Sequence, residues 1–278
     1  MDVSTLTNGR LKLANGIWSS ESPEKVSYPE DGNSDCFQVE DASFWFQHRN
    51  AVIRAMIQRY APAENAGWFL DVGGGNGFQS KAIQELGFSA ALIEPGREGC
   101  ENALRRGVRN VLNCTLAGSS ISPRSVAMTG AFDVVEHIDA QEEFLSQIHE
   151  VLQPEGLFFM TVPALDWLWS FEDVHAGHFR RYSLRSASEV LEAAGFTIEF
   201  ASYFFRPLVA PILLLRSIPS AIGIRRTASR SVTEKEHQLP DSLIGRSISR
   251  GLSREREQLE RQKRISVGSS LVVVARKA

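Results

Sequence analysis

Between Trp68 and Ser80 the sequence reads WFLDVGGGNGFQS, an apolar run that meets Asp71 and then places glycine at positions 73, 74, 75 and 77. A strand that turns through glycine into a helix lets backbone N–H groups and the helix start approach a ligand closely, because no side chain intervenes. That is a nucleotide-type site. Dinucleotide sites space their glycines G-x-G-x-x-G and seat a pyrophosphate on the helix start. Here the spacing is D-x-G-x-G-x-G, through Asp71, Gly73, Gly75 and Gly77. An acid in the turn repels a pyrophosphate, whereas it accepts hydrogen bonds through ordered water or from an ammonium group. The spacing therefore favours S-adenosylmethionine over NAD. A second carboxylate, Glu94, ends the next apolar run AALIE, where an acidic side chain can take both ribose hydroxyls.

A further polar segment, WLWSFEDVHAGHFRRYS from Trp167 to Ser183, follows the fifth expected strand. Ligands of open α/β sheets bind outside the carboxyl ends of the strands, so this loop should overhang the methyl donor. His175 and His178 could serve as base or ligands, and Arg180 and Arg181 could hold an anionic group. Trp167, Trp169 and Tyr182 could wall a pocket. The plainer reading of Arg180, Arg181 and Tyr182 is that they anchor the loop to the following helix. Methyl transfer asks little of a protein: a nucleophile held in line about 3 Å from the methyl carbon, and sometimes a base.

With these residues in place the sequence resembles the class I S-adenosylmethionine-dependent methyltransferases, and more closely their small-molecule, ubiquinone-biosynthesis-like group. The resemblance runs from about Phe44 to Phe205 and resumes at VGSSLVVVARK. It implies a Rossmann-like methyltransferase fold and S-adenosylhomocysteine as product. Asp71, Gly73, Gly75 and Gly77 match the first cofactor motif, and Glu94, followed by Pro95, matches the ribose-binding acid. Cys114, Thr115 and Leu116 stand where the adenine is bordered, and GAFDVVEHI, with Phe132 and Asp133, stands beside the methyl donor. SFWFQHRN resembles the segment that folds over the cofactor, with Trp45 and Phe46 closing the site and Arg49 meeting the methionine carboxylate. In some relatives an arrangement like Asp133, Glu136 and His137 binds a divalent metal. A cap and a packed histidine are the stronger expectation there, so no metal is assigned and His137 is kept as a catalytic candidate beside His178 and His175. The turn usually written Pro-Gly-Gly is Pro154-Glu155-Gly156, which departs from the pattern away from the cofactor contacts.

The elements that must position these residues alternate. FWFQHRNAVIRAMIQRY carries Phe46, Val52, Ile53, Met56 and Ile57 largely on one helical face. Strand-like GWFLDV, SAALIE, RNVLN, VAMTGAF, GLFFMTV, TIEFASYFF and SSLVVVARK are separated by helical text. This predicts an α/β fold, a doubly wound, seven-stranded, mostly parallel sheet with a helical insert before the last strand. Residues 1–40 read as an amino-terminal extension with no sustained periodicity, and 41–278 as one methyltransferase domain with its insert at about 206–266.

A net charge of −3 over 278 residues offers no global attraction to nucleic acid or anionic lipid. Cys36, Cys100 and Cys114 form no C-x-x-C pair, and the amino terminus shows no apolar leader, so a cytoplasmic protein is expected. In the insert, FFRPLVAPILLLRSIPSAIGIRR is apolar but broken by Arg206, Pro207, Pro211, Arg216 and Pro219, short of the roughly 20 unbroken residues of a spanning helix. It reads as a lid over an apolar acceptor or a homodimer surface, ahead of a peripheral membrane element with Arg216, Arg225, Arg226 and Arg230 at lipid headgroups. The acceptor is expected to be a small molecule, aromatic or lipid-like, methylated at oxygen or nitrogen. The rivals are an NAD(P)-dependent oxidoreductase, against which the glycine spacing speaks, and a cofactor-binding subunit without turnover.

Overall fold

The strand Trp68–Val72, apolar but for Asp71, is buried at all five positions, as in a strand covered on both faces. The structure, a computed structural model, describes residues 2–19, 32–62, 67–224 and 241–278. Its strands are β1 (Lys12–Ala14), β2 (Ile17–Ser19), β3 (Trp68–Val72), β4 (Ser89–Ile93) and β5 (Val111–Asn113), then β6 (Val126–Phe132), β7 (Leu152–Pro163), β8 (Phe196–Phe204) and β9 (Ser270–Lys277). They form one sheet in the order β1-β2-β5-β4-β3-β6-β7-β9-β8. Strands β2 to β7 pair in parallel wherever they touch, β1 pairs antiparallel with β2, and β9 lies antiparallel between β7 and β8.

The sheet has nine strands rather than seven. The seven expected strands are β3 to β9, and the other two come from the amino-terminal segment read as extension. Its three-residue runs, KLA and IWS, are too short to show a period of two, yet Ile17 pairs with Val111 and is fully buried. Residues 20–31 of this segment lie outside the described residues, as do Arg225, Arg226 and Arg230, and Gly32–Val39 is helical.

The main helices are α1 (Gly32–Val39), α2 (Phe44–Tyr60), α3 (Phe78–Glu85), α4 (Arg97–Arg105), α5 (Gln141–Val151), α6 (Phe171–Ala176), α7 (Leu184–Ala193) and α8 (Leu243–Glu260). Ser43 caps α2, its hydroxyl accepting from the N–H groups of Trp45 and Phe46. The five residues expected on its buried face are all buried, and His48 and Arg49 are buried beside them. β3 has β4 on one side and β6 on the other, so the winding reverses at this point and a crevice opens at their carboxyl ends. In the insert, a helical rod from Val209 to Ala221 contains a π turn at Leu213–Ser217 and is followed by α8. No helix among the described residues is long and apolar enough to cross a membrane.

Candidate active site

The crevice is a cavity of about 740 Å3, and the turn after β3 forms its floor. Gly73 has φ +70°, and a Cβ there would lie 2.7 Å from a methyl of Val134. Gly77 opens α3 with φ +77°, and its Cβ would meet Ala103 and Val108 at 2.8 Å. Both positions thus demand glycine for backbone conformation and for space. Asp71 sits beneath the turn, 1% exposed, and accepts a 2.6 Å hydrogen bond from the Ser80 hydroxyl. Burial raises its carboxyl to about 6, with Ser80 and the nearby Arg49 pulling in the other direction.

Glu94, at the end of β4, is tied to the turn. One of its oxygens accepts from the Gly75 N–H at 3.0 Å and the other from the Gly96 N–H at 2.7 Å. Glu94 lines the cavity, and an acceptor-only carboxylate there suits a diol. A bare turn, a diol-accepting carboxylate and a buried acid beneath them fit S-adenosylmethionine. Pro95, Thr115, Leu116, Phe132 and Asp133 also line the cavity. Cys114 is buried outside the lining, and Gly77 acts through the helix start rather than the wall.

On the opposite side α2 contributes Trp45, Phe46 and Arg49. The Arg49 guanidinium lies 4.8 Å from the Trp45 ring centroid and 5.1 Å from that of Phe46, and it donates to the Asp133 carboxylate. Arg49 is therefore already paired, and a methionine carboxylate has to share it. Asp133 is further held by the Thr161 hydroxyl at 3.1 Å, its backbone at φ +57°. The segment before α2 also reaches the cavity, through Cys36 and Glu40. Glu40 accepts from the Asn76 amide and from Arg106, a role that no local pattern in the sequence announces.

At the far end stand Glu136, His137 and His178. Glu136 is 1% exposed, and neither of its carboxylate oxygens has a hydrogen-bond partner. Burial first, then the neighbouring Asp133, hold its carboxyl well above the usual carboxylate range. His137 is pushed down to about 4 by burial and by His178, whose ring meets it edge-on at 4.8 Å. The expected helix-start cap does not form, since the turn Val135–His137 makes no side-chain cap bond.

His178 is fixed by Asp173, whose Oδ1 lies 2.9 Å from its Nδ1, leaving Nε2 for the cavity that the ring lines. Asp173 is also the hub of the loop. It accepts from the Ser170 N–H and from Nε and Nη2 of Arg181; burial pushes its carboxyl up, but His178 and Arg181 together hold it below the usual range. The signal for Asp173 was present as a capping box, Ser170-x-x-Asp173, at the start of α6.

Several residues proposed for the acceptor or the chemistry stand elsewhere. Arg180 donates to the carbonyls of Ile138 and Asp139, Arg181 to Asp173 and the Ala164 carbonyl, and the buried Tyr182 hydroxyl to Gln141 at 2.6 Å. These three anchor the loop, the plainer of the two readings, and none lines the cavity. Trp167 and Trp169 are solvent-facing, at 51% and 36% exposure, and do not line it either. His175 is exposed on the outer side of α6, away from the lining. Phe144 and Phe179 supply the apolar wall there instead.

Comparison with known proteins places this geometry. Residues 45–199 match the family described as the methyltransferase domain. A protein of Mycolicibacterium smegmatis named a probable S-adenosylmethionine-dependent methyltransferase is 25% identical over 162 residues. That alignment takes in 57% of this chain and 62% of the relative, so the chain spans less than two thirds of its length. Among solved structures, phosphoethanolamine N-methyltransferase 2 of Haemonchus contortus, with phosphomonomethylethanolamine and S-adenosylhomocysteine, superposes with a TM-score of 0.55 at 17% identity, over 89% of this chain and 57% of that one. Geranyl diphosphate C-methyltransferase of Streptomyces coelicolor, with Mg2+, geranyl diphosphate and S-adenosyl-L-homocysteine, gives 0.52 at 11% identity, over 81% and 76%. These two likenesses are of fold alone. The family match covers more than half of the chain and takes in the glycine turn, both acids and the histidine cluster, and by it this chain belongs to the class I S-adenosylmethionine-dependent methyltransferases.

Proposed function

We propose that the protein methylates a small-molecule acceptor at oxygen or nitrogen, with the acceptor's nucleophile seated between the glycine turn and the Glu136, His137 and His178 cluster. The observation that carries this reading is the cavity itself. One end holds the turn and Glu94, the other holds buried polar groups, and Phe132, Phe144 and Phe179 lie along the wall. S-adenosylmethionine, when bound, supplies an electrophilic methyl on a sulfonium. The chain's part is to hold the acceptor in line and to manage its proton. His178, aligned through Asp173, is assigned to that proton, which passes from the acceptor to Nε2 as the new bond forms. The aromatic wall supports an aromatic or lipid-like acceptor.

The remaining finer readings are proposals of the same kind. Residues 41–278 act as one domain, with 206–266 as its insert, and the insert serves as a lid or a homodimer surface. None of the three cysteines is in a disulfide, which supports a reducing, cytoplasmic setting.

The test is calorimetric titration of the purified protein with S-adenosylmethionine and S-adenosylhomocysteine, then a screen of aromatic, isoprenoid and amine acceptors with labelled donor. Micromolar binding of both ligands, abolished by Asp71→Ala, is expected. Unchanged affinity in that variant would refute the site assignment. Binding of NADH in place of either ligand would favour the oxidoreductase reading, and binding with no turnover on any acceptor the non-catalytic one.

A further inference from the structure

We infer that Glu136, His137 and His178 together bind one divalent transition-metal ion at the acceptor end of the cavity. One ligand atom from each lies within 4.8 Å of the others, although the residues come from a turn after β6 and from the loop after α6. Metal–ligand bonds of about 2.0–2.2 Å put neighbouring donors roughly 3–4 Å apart, so the cluster has to close by about 1–2 Å at its widest separation. Two observations point to a ligand here. Both oxygens of the buried Glu136 carboxyl lack a hydrogen-bond partner, and this side chain lines the cavity. Such a group is costly unless something satisfies it. Asp173 engages Nδ1 of His178 at 2.9 Å, the outer-shell contact by which proteins align a ligating imidazole with its other nitrogen on the ion.

The donor set decides the class of ion. Two imidazoles and one carboxylate suit zinc and its first-row neighbours, whereas magnesium and calcium prefer oxygen alone. Asp133 is excluded from the set, because Arg49 and Thr161 already hold its oxygens. The ligands are thus not the Asp133, Glu136 and His137 of the local sequence pattern. They need His178 from a distant loop.

The inference rests on the acceptor placement proposed above and deepens it. With three protein ligands the ion keeps open positions toward the cavity, where an acceptor hydroxyl can coordinate and lose its proton to water near neutral pH. The oxygen lone pair then forms the C–O bond, the S–C bond breaks with its electron pair returning to sulfur, and the metal changes no oxidation state. In this loaded form His178 Nε2 holds the ion rather than accepting the proton.

The test uses the untagged full chain, dialysed against chelator and titrated with Zn2+ by calorimetry, with Co2+ absorption as a second readout. One ion per chain is expected, together with a visible Co2+ spectrum. Glu136→Gln and His178→Ala should each weaken Zn2+ binding by about tenfold or more, and His175→Ala should leave it unchanged. S-adenosylhomocysteine affinity and the melting curve, measured on every variant, identify one that has lost its fold. Should Glu136→Gln do so, the Co2+ spectrum of the wild type against His178→Ala decides alone. Absence of stoichiometric Zn2+ binding, or equal affinity in both variants, overturns the metal site. If S-adenosylhomocysteine still binds the chelated protein, only the metal site has failed; if it does not bind, the methyl-transfer reading has failed.

Discussion

Asp71 is buried beneath the glycine turn with its carboxyl raised to about 6, which makes donor binding sensitive to pH in a defined direction. The folded value lies above the ordinary one, so the empty site favours the protonated form below about 6. A cationic amino group pairs only with the carboxylate. S-adenosylhomocysteine affinity should therefore rise with pH up to about 6 and level off above it, falling by up to about tenfold per pH unit on the acid side. Calorimetry from pH 5 to 8 in buffers of differing ionisation enthalpy would show the released proton, and Asp71→Asn should flatten the profile. A slope persisting in that variant would assign the titration to another group. At the other end of the cavity, His178→Ala should lower turnover at least tenfold while changing donor affinity less than threefold. Equal turnover would leave His178 as scaffold. The donor half of this site was legible in sequence because its chemistry is local: Asp71, the glycines and Glu94 each sit at a strand end that the apolar text marks. The acceptor half was not. Arg180, Arg181 and Trp167 have the right residue types, yet the loop spends the arginines on its own carbonyls and on Asp173, and turns the tryptophan outward.

The turn from β3 into α3 is the element proposed to seat the donor, and Gly77 is one of its tight points. An alanine there meets Ala103 and Val108 at 2.8 Å in a left-handed backbone, so Gly77→Ala should cost about 2–3 kcal/mol and also displace the helix start. A thermal melt and a donor titration would read the two effects separately. An unchanged melting temperature would mean that α4 gives way. Long elements were readable before the structure, since the buried face of α2 and the apolar strands carry enough residues for a period to emerge. The hairpin of β1 and β2 was not, because three-residue strands carry none, and their pairing with β5 depends on a chain segment roughly ninety residues away.

Across the whole molecule the insert is joined to the site through one buried acid. Glu255 of α8 lies 2.8 Å from His48 Nε2 and accepts from the N–H groups of Phe205 and Arg206. Phe205, at φ +60°, stacks on Trp45 with ring centroids 5.4 Å apart, and Trp45 packs on Arg49. Glu255→Ala should therefore lower the melting temperature by several degrees and weaken S-adenosylmethionine binding, although no atom of Glu255 faces the cavity. Loss of stability with donor affinity intact would confine Glu255 to scaffolding.

The place of β9 has a consequence for how the chain is made. It pairs with both β7 and β8, but the whole insert lies between β8 and β9 in sequence. At about 5–20 residues per second, a nascent chain that has already emitted β8 waits several seconds for the strand that joins it to the sheet. Through that interval β7 and β8 each show an open, strongly apolar edge, the kind of surface on which newly made chains stick to one another. Slowing translation within the insert should lengthen this exposure and lower the soluble yield without any change to the finished protein.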